Sequence, residues 1–360
     1  MVDIRRKNIL IRADGNAKIG AGHLMRCLTI AEALENKAQV GFICADRDSA
    51  ELALSKGFDA YVLGTDYRYM EQELLLWSQL FDGFGQRIQE EIVQQEPYVQ
   101  TRKILVDSYY VTNAYLEGLQ AFGQVILLDD MCKQPWNVDK LINYNAFATK
   151  EMYDMLDSPY ETRCYVGGRY IPIRKAFCGK DYRVKVQVEH ILITTGGGDS
   201  ENIAGRILDK IWDASHAFHV VMGRFNPHYE EMMKRAEDAG NIHVYHDVKD
   251  MADLMVRCDL AVTAGGTTIY ELSALGVPFV CFSYAENQEK LTAYIGDRQI
   301  AGYGGEYHKD AVGTLEGIAK QIDELKKNSE LRKEYSEKER KLVDGEGARR
   351  IAGILQNVVE

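Results

Sequence analysis

Short apolar runs of four to six residues alternate with longer amphipathic stretches along almost the whole chain. The run at residues 7–12, for example, precedes apolar positions that recur at helical spacing from Leu24 to Leu34. This alternation predicts an α/β protein with parallel sheets covered by helices on both faces. The predicted strands cover residues 7–12, 39–44, 59–63, 103–107, 124–128, 140–143, 190–195, 217–221, 242–245, 259–263 and 278–282.

The pattern is interrupted near the middle of the chain. Residues 167–186 contain Gly and Pro and lose helical periodicity, and a new strand, glycine turn and helix follow. We therefore expect two Rossmann-like domains that face each other across a cleft, with ligands at the carboxyl ends of the strands. The predicted boundaries are 1–175 for the N-terminal domain, 176–345 for the C-terminal domain and 346–360 for a C-terminal helix that could pack back on the first domain.

Composition and charge exclude several classes of function. The chain has 360 residues, of which 46% are hydrophobic and 27% charged, as is ordinary for a globular protein of two domains. A net charge of -11 argues against nucleic acid or an anionic membrane as partner. No apolar run approaches the roughly 20 residues that span a bilayer, and the N-terminus lacks a signal-peptide pattern. We expect a cytoplasmic protein, and a monomer, because a ligand site between two domains of one chain requires no partner subunit.

Neither cysteines nor carboxylates indicate a metal site. The seven cysteines are scattered and form no C-x-x-C pair, which argues against a disulfide framework and a zinc site. Asp46-Arg47-Asp48 fits the D-x-D pattern of metal-using transferases, but an ordinary helix start explains this short pattern better. The sequence therefore predicts chemistry without a metal or other cofactor.

A glycine-rich turn between the first predicted strand and helix carries the candidate catalytic residue. Residues 15–22 form this turn, and His23 follows it directly. Backbone N–H groups and the positive end of the helix dipole make such a turn an anion site, and an imidazole there can take a proton from water. Gly20 and Gly22 would let the backbone approach a substrate closely. Asp14 is a candidate for orienting His23 or binding substrate.

A second glycine cluster, TTGGGDSEN, covers Thr194 to Asn202 and again joins a strand to a helix. Gly197 and Gly198 are candidates for close approach to a nucleotide, and Asp199 or Ser200 could cap the helix. A tight turn with an ordinary cap explains the cluster equally well. It lacks the Gly-Lys-Ser/Thr of a Walker motif and the spacing of a dinucleotide fingerprint.

The most specific pattern of the C-terminal half is DLAVTAGGTTIYELSALGVPFVCFSYAENQ, residues 259–288. A turn at its centre would offer N–H and hydroxyl donors to a diphosphate. Glu271, one helical turn further on, could accept hydrogen bonds from both hydroxyls of a ribose. The predicted nucleotide-binding residues here are Gly265, Gly266, Thr267, Thr268, Glu271 and Gln288.

Several segments resemble known enzymes. Residues 264–288 resemble the nucleotide-binding region of GT-B enzymes related to the peptidoglycan glycosyltransferase that uses UDP-GlcNAc. The segment RADGNAKIGAGHLMRCLTIAEAL, residues 12–34, resembles a narrower family of UDP-sugar hydrolases of pseudaminic acid biosynthesis and their spore-coat polysaccharide relatives. Further matches in the same order are VDSYYV at 106–111, LLDDM at 127–131, LINYNAFA at 141–148, GGRYIPIRKAF at 167–177 and DGEGARRIA at 344–352.

The resemblance implies a GT-B-like fold and a metal-independent nucleotide-sugar hydrolase. The implied reaction converts UDP-2,4-diacetamido-2,4,6-trideoxy-β-L-altropyranose to free sugar and UDP, with His23 activating water at the anomeric carbon. It also implies that Tyr109 lies beside the sugar and that Asn287 closes the sugar site. Residues 66–97 are longer than the family pattern requires, which leaves the identity of the sugar open.

Two other functions are compatible with the same residues. A UDP-sugar-dependent glycosyltransferase of surface or spore-coat polysaccharide synthesis would use His23 to deprotonate an acceptor hydroxyl. We favour hydrolysis because the N-terminal half shows no basic amphipathic patch for a membrane-bound acceptor. A non-catalytic nucleotide-sugar binding protein would leave His23 without a task.

Overall fold

The computed structural model describes residues 7–16, 18–34, 38–81, 102–196, 199–223, 226–246, 248 and 250–358. The chain divides into two compact units, one comprising Met1–Pro172 and Gly347–Glu360 and the other comprising Ile173–Glu346. The change of unit after Pro172 falls three residues before the predicted boundary at 175/176. The last residues, Gly347–Glu360, belong to the first unit.

The first unit contains a parallel sheet of seven described strands in the order β3-β2-β1-β4-β5-β6-β7. The strands are β1 (Ile9–Ala13), β2 (Val40–Cys44), β3 (Asp59–Val62), β4 (Lys103–Asp107), β5 (Gln124–Leu128), β6 (Lys140–Asn143) and β7 (Arg163–Val166). The described helices of this unit are α1 (Gly22–Leu34), α2 (Arg47–Ser55), α3 (Glu73–Phe81), α4 (Asn113–Leu119), α5 (Lys150–Asp154) and, numbered last in the chain, α13 (Gly347–Gln356).

Helices cover both faces of this sheet. On one face, alternate residues of the strands pack with apolar residues of α1, α2 and α13. On the other face, the intervening strand residues pack with α3, α4 and α5. The strands at the centre of the sheet are therefore buried throughout, which is why they are continuous apolar runs in the sequence.

The C-terminal helix α13 is an integral part of this core. Ile351 and Leu355 are fully buried in the same cluster as α1. The ammonium group of Lys140 on β6 donates to the Ile354 carbonyl at 3.0 Å and to Asn357 Oδ1 at 2.6 Å. A side chain at Gly347 would lie 2.1 Å from the Ile171 carbonyl oxygen, so glycine is required where the chain returns to the first unit.

The second unit repeats the design with six described parallel strands in the order β10-β9-β8-β11-β12-β13. They are β8 (His190–Thr194), β9 (Ala217–Met222), β10 (Ile242–His246), β11 (Leu260–Ala264), β12 (Phe279–Ser283) and β13 (Gly302–Glu306). The helices are α6 (Ile203–Ile211), α7 (Tyr229–Ala239), α8 (Met251–Arg257), α9 (Thr267–Leu275), α10 (Glu286–Asp297), α11 (Ala311–Lys327) and α12 (Ser329–Leu342). Both sheets have the Rossmann-type order, and the predicted fold class is confirmed.

None of the described helices is both long and apolar enough to cross a bilayer. All seven cysteines are free thiols, and four of them are buried. Within the described residues, no group of three or more His, Cys, Asp or Glu side chains is arranged to hold a metal ion.

Candidate functional site

The loops that follow four neighbouring strands bring polar side chains together at the carboxyl edge of the first sheet. β1, β4, β5 and β6 are adjacent in that order. His23 follows β1, Asp107 ends β4, Asp130 follows β5 and Tyr144 follows β6. The carboxyl edge of an open parallel sheet is where ligands bind in this kind of fold. This group of residues is the candidate catalytic site.

His23 is paired with a carboxylate. Its Nδ1 atom lies 2.7 Å from Oδ1 of Asp107, and both side chains are buried. Nδ1 also lies 2.9 Å from Nη2 of Arg26, which can only donate, but Nη2 is nearer to the carboxylate, at 2.5 Å from Asp107 Oδ1. Because an ionised carboxylate only accepts hydrogen bonds, the shorter contact with Asp107 favours the proton of the neutral imidazole on Nδ1. Nε2 is then the acceptor, and within the described part of the chain no protein group is hydrogen-bonded to it. The pair has the form of a general base with its orienting acid.

Arg26 fixes the carboxylate. It lies three residues after His23 on α1, so both side chains leave the same face of the helix. Its Nε donates to Asp107 Oδ2 at 2.6 Å and its Nη2 to Asp107 Oδ1 at 2.5 Å. Its Nη1 donates to Asp130 Oδ2 at 2.9 Å and also contacts the hydroxyl of Tyr144. The guanidinium thus joins residues from three strand ends.

These contacts keep Asp107 ionised. Burial alone would raise the pKa of this carboxyl, but Arg26 and His23 hold its pKa well below its usual range. The paired charges compensate each other in a site where an isolated charge would be costly. Asp107 is therefore an ionised hydrogen-bond acceptor for His23 at neutral pH.

Tyr109 forms one wall beside the imidazole. Its ring stands edge-on to His23, with the ring centroids 4.4 Å apart and the planes at 81°. Its hydroxyl donates to Asp130 Oδ2 at 3.2 Å, and about half of the side chain is exposed. The structure thus brings together Tyr109 and His23, two of the residues predicted for the sugar side of the site.

The glycine turn before His23 is held by its own side chains. Gly20 has a φ of +75°, a left-handed conformation that favours glycine. Asn16 accepts from the amides of Lys18 at 2.9 Å and Ile19 at 3.2 Å, and it donates to Asp46 at 2.7 Å. A side chain at Gly22 would meet open space, which is compatible with the close approach predicted for this residue.

Asp46 accepts from the amide of Ser49 at 2.8 Å and is the N-cap of α2. This is the helix start that the sequence favours for the D-x-D segment.

Asp14 lies in a separate buried network. Its two oxygens accept from Arg12 at 2.6 Å and from the Ala45 amide at 2.7 Å. Arg12 also donates two hydrogen bonds to Glu73, at 2.8 and 2.6 Å, and is itself fully buried. These contacts favour a structural role for Asp14. Its predicted contact with substrate or with His23 stays a prediction.

In the second unit, the turn between β11 and α9 has the geometry of an anion site. Gly266 is the N-cap of α9, and a glycine N-cap has no side chain that would occupy the N–H groups of the first turn. Gly266 and Thr267 are exposed and Thr268 is half-buried. Gly265 packs tightly, since a side chain there would lie 2.8 Å from Cβ of Gln288 and from Cγ2 of Thr292.

Glu271 follows on the same helix, α9. Its Oε1 accepts from Arg174 Nη2 at 2.6 Å, and the Arg174 guanidinium also lies over the Phe177 ring at 4.7 Å. Burial raises the pKa of Glu271, while Arg174 opposes that increase in pKa. The ion pair occupies one carboxylate oxygen of Glu271 and holds the side chain in place.

The remaining predicted residues of the second unit have different surroundings. Gln288 Oε1 accepts from the Tyr284 amide at 3.0 Å, which fixes the start of α10. Asn287 is exposed in the first turn of α10. Gly197 and Gly198 lie outside the described residues. Next to them, Asp199 accepts from the amides of Ile203 and Ala204 at 2.7 and 2.9 Å, in the first turn of α6, whose N-cap is Asn202.

Sequence reasoning did not single out Arg26, Asp107, Asp130 and Tyr144. Each lies within a segment that resembles the hydrolase family, but no spacing rule connects residues up to 118 positions apart. The signal that could have found them is topological. Polar residues that end consecutive parallel strands next to β1 must meet at one sheet edge.

Comparison with known proteins supports the architecture. Residues 190–351 match the family model of the glycosyltransferase family 28 C-terminal domain. The spore coat polysaccharide biosynthesis protein SpsG of Bacillus subtilis is 26% identical, over 97% of this chain and 98% of its own. The UDP-2,4-diacetamido-2,4,6-trideoxy-beta-L-altropyranose hydrolase of Campylobacter jejuni is 23% identical, over 83% of this chain and 98% of its own.

Solved structures resemble the whole chain. MurG of Acinetobacter baumannii has a TM-score of 0.62 at 14% identity, covering 97% of this chain and 99% of its own. The spinosyn forosaminyltransferase SpnP has a TM-score of 0.62 at 13% identity, covering 98% and 99%. At such identities the likeness shows the fold alone. The chain is thus a protein of the GT-B fold whose second unit matches the family 28 C-terminal domain.

Proposed function

We propose that this chain is a nucleotide-sugar hydrolase. It would cleave UDP-2,4-diacetamido-2,4,6-trideoxy-β-L-altropyranose to the free sugar and UDP, a step of nonulosonic (pseudaminic) acid biosynthesis. The first unit would supply the group that acts on the sugar, and the second unit would bind the nucleotide.

The observation that carries the proposal is the 2.7 Å contact between His23 Nδ1 and Asp107 Oδ1. It leaves Nε2 as a proton acceptor at the carboxyl edge of the sheet. Water attacks the anomeric carbon, the bond from that carbon to the UDP oxygen breaks, and the water proton passes to Nε2. The imidazolium that forms is stabilised by Asp107, whose charge is fixed by Arg26. General-base catalysis of this kind contributes roughly 10²–10⁴-fold to a rate.

The second unit would hold the leaving group. UDP departs with negative charge on its terminal phosphate. The free N–H groups at the start of α9 would donate hydrogen bonds to this phosphate and stabilise its charge. Glu271 keeps one carboxylate oxygen outside its ion pair with Arg174 and could accept from a ribose hydroxyl. The proposed nucleotide contacts are therefore those predicted around Gly265 and Glu271.

The relatives support two outcomes of the same chemistry. The Campylobacter relative is named as a hydrolase of this UDP-sugar. The match of residues 190–351 to a glycosyltransferase domain equally favours a transferase, in which Nε2 of His23 would take the proton of an acceptor hydroxyl in place of water. The nature of the acceptor separates the two functions.

The experiment is incubation of the purified chain with the UDP-diacetamido-trideoxy-altropyranose and no acceptor. We expect equimolar UDP and free sugar, and a His23→Ala variant should lose at least about 100-fold in rate. His216→Ala is the matched control, because His216 also has Nδ1 close to a carboxylate, 2.6 Å from Asp213 Oδ1, but lies in the second unit.

Release of UDP only after addition of a polysaccharide or lipid acceptor extract would overturn the hydrolase and establish the transferase. Equal loss of activity in both histidine variants would contradict the assignment of His23.

A further inference from the structure

Three tyrosines lie near the carboxyl edge of the first sheet: Tyr109 and Tyr110 in the loop after β4, and the half-buried Tyr67 after β3. Tyr109 stands against the His23 ring, and its sequence neighbour Tyr110 contacts Tyr67 at a centroid distance of 5.4 Å and an angle of 65°. Tyr109 is 49% exposed and Tyr110 41% exposed. Single exposed aromatic residues are common on proteins, but here Tyr110 is paired with Tyr67 and is the sequence neighbour of Tyr109 in the candidate catalytic site.

The segment that carries Tyr67 is firmly anchored. Residues 63–73 lead from β3, at one edge of the sheet, to the start of α3, and Tyr67 and Glu71 contact the loop that follows β4. Gly64 and Thr65 donate their amides to the Ala45 carbonyl at 3.0 and 3.1 Å. At the other end, Glu73 is fully buried against Arg12.

Two hydroxyl contacts join this segment to the β4 side of the sheet. Tyr115 donates to Glu73 at 2.8 Å, and Thr112 donates to Glu71 at 2.5 Å. The path of residues 63–73 across the ends of β2 and β1 is therefore held at both ends. Tyr67 and Tyr110 are preorganised, so a ligand would not have to order them.

The chemistry of the tyrosine pair fits a sugar that carries apolar groups. Aromatic rings gain from covering C–H surface, and their hydroxyls still bond to water or to amide oxygens. A diacetamido-trideoxyhexose presents three methyl groups and few hydroxyls. Beside Tyr67, the charges of Arg68 and Asp66 offset each other in an ion pair at 2.5 Å. A neutral ring with acetamido groups suits this surface better than a phosphate does.

We infer that Tyr67 and Tyr110 form a saccharide subsite that recognises the acetamido and 6-deoxy groups of the sugar whose anomeric carbon faces His23. The inference rests on the proposed function and deepens it by naming the residues that select the sugar. Under the transferase alternative, the same subsite would hold the ring of an acceptor sugar. Both are uncharged saccharides, and the experiment distinguishes them.

The first test compares Tyr67→Leu and Tyr110→Leu with wild type on two donors, the UDP-diacetamido-trideoxy sugar and UDP-GlcNAc. We expect kcat/KM for the diacetamido donor to fall roughly 10- to 100-fold, chiefly through KM. We expect UDP-GlcNAc to be cleaved slowly by wild type and at a similar rate by both variants. The Kd of UDP alone should stay at the wild-type value. Tyr61→Leu is the control, because Tyr61 is 40% exposed on β3 and contacts neither Tyr67 nor Tyr110 in the described residues.

The second test does not depend on turnover. Saturation-transfer NMR of the free diacetamido-trideoxy sugar with the UDP-saturated protein should show transfer to the N-acetyl methyl protons in wild type and Tyr61→Leu. Both tyrosine variants of the pair should lose that transfer. Wild-type transfer retained in Tyr67→Leu and Tyr110→Leu would overturn the subsite.

The two tests also separate the subsite from the proposed function. If wild type releases no UDP from any UDP-sugar, but the NMR transfer is present and lost in the variants, the hydrolase fails and the subsite stands. If the variants lower turnover only when an acceptor sugar is present, the subsite holds an acceptor. If the variants weaken the binding of UDP alone by the same factor as they lower kcat/KM, the tyrosines act on folding or on the nucleotide, and the inference is wrong.

Discussion

Nη2 of Arg26 lies 2.5 Å from the same carboxylate oxygen of Asp107 that accepts from His23 Nδ1 at 2.7 Å. One carboxylate oxygen thus accepts two hydrogen bonds, one from the permanently charged guanidinium and one from the imidazole. The orientation of the His23 imidazole therefore depends on Arg26, which lies one helical turn further along α1. Replacement of the carboxylate should therefore affect the imidazole in a defined way.

Asp107→Asn should lower kcat by about 10³- to 10⁴-fold, with KM changed far less. Because the guanidinium of Arg26 has only hydrogen-bond donors, it would bond to the amide oxygen of Asn and leave the amide NH₂ facing His23. Nδ1 must then accept, which moves the imidazole proton to Nε2 and removes the base. The rate of UDP release at saturating substrate measures the effect, with circular dichroism to verify the fold.

Asp213→Asn is the control for this variant, because it alters the other His–Asp contact, at His216, in the same way. A wild-type kcat for Asp107→Asn would show that the carboxylate does not set the histidine tautomer during turnover.

The sequence predicts the fold well where strands are buried. β1 and β4 are apolar runs because helices cover both faces of the sheet, so the pattern itself marks them. The two strands that the pattern missed, β7 and β13, lie at sheet edges. β7 is RCYV and mostly half-exposed, and β13 is GYGGE with three glycines, so pairing to a neighbouring strand and not local propensity makes them extended.

The candidate site is predictable only in part. His23 follows the glycine turn after β1, and Gly265 follows β11 directly. Both carry local signatures, so a single segment reveals each of them. Asp107 does not, since its role depends on β4 lying next to β1, although 89 residues separate the last residue of β1 from the first residue of β4. Asp14 shows the opposite case. Its place after the first strand is typical of a substrate-binding residue, yet one of its carboxylate oxygens accepts a hydrogen bond from Arg12.

Gly265 and Gly266 allow a test that separates packing from ligand approach. Gly266 has extended backbone and a side chain there would meet open space, so Gly266→Ala should leave the free energy of unfolding within about 0.5 kcal/mol of wild type. The added methyl group would nevertheless stand where a diphosphate must approach the N–H groups of α9. We expect the Kd of UDP to rise about 10-fold or more by calorimetry.

Gly265→Ala should behave differently, because its methyl group would press on Gln288 and Thr292. We expect a loss of about 1–3 kcal/mol in unfolding free energy. If Gly266→Ala binds UDP as wild type does, the diphosphate does not lie on this turn.

Glu271→Gln should weaken UDP binding and spare the chemical step. A ribose hydroxyl donates more strongly to a carboxylate than to an amide, and hydrogen bonds to charged groups contribute about 1.5–3 kcal/mol. This corresponds to a Kd for UDP roughly 10- to 100-fold higher, measured by calorimetry, with kcat at saturation nearly unchanged. Glu316→Gln, an exposed position on α11, should bind UDP normally. A fall in kcat without a change in Kd would remove Glu271 from the nucleotide site.

Glu339 is fully buried on α12 and has no ion-pair partner among the described residues. Burial raises the pKa of this carboxyl well above its ordinary value, and the Phe279 backbone and Arg340 offset only part of that rise. A folded-state pKa above the unfolded one, about 4.3 for Glu, means that the native state holds the proton more tightly. The stabilisation from the protonated form is complete below about pH 4 and is lost as pH rises toward the raised pKa.

Glu339→Gln keeps the shape of the neutral acid and cannot ionise. Relative to wild type, its unfolding free energy in urea should be similar near pH 4 and higher at pH 7. Glu337→Gln, on the exposed side of the same helix, should show no such dependence on pH. A Glu339→Gln variant that is less stable than wild type at both pH values would mean that the ionised carboxylate stabilises the fold, because only a partner for its charge could outweigh the cost of burying it.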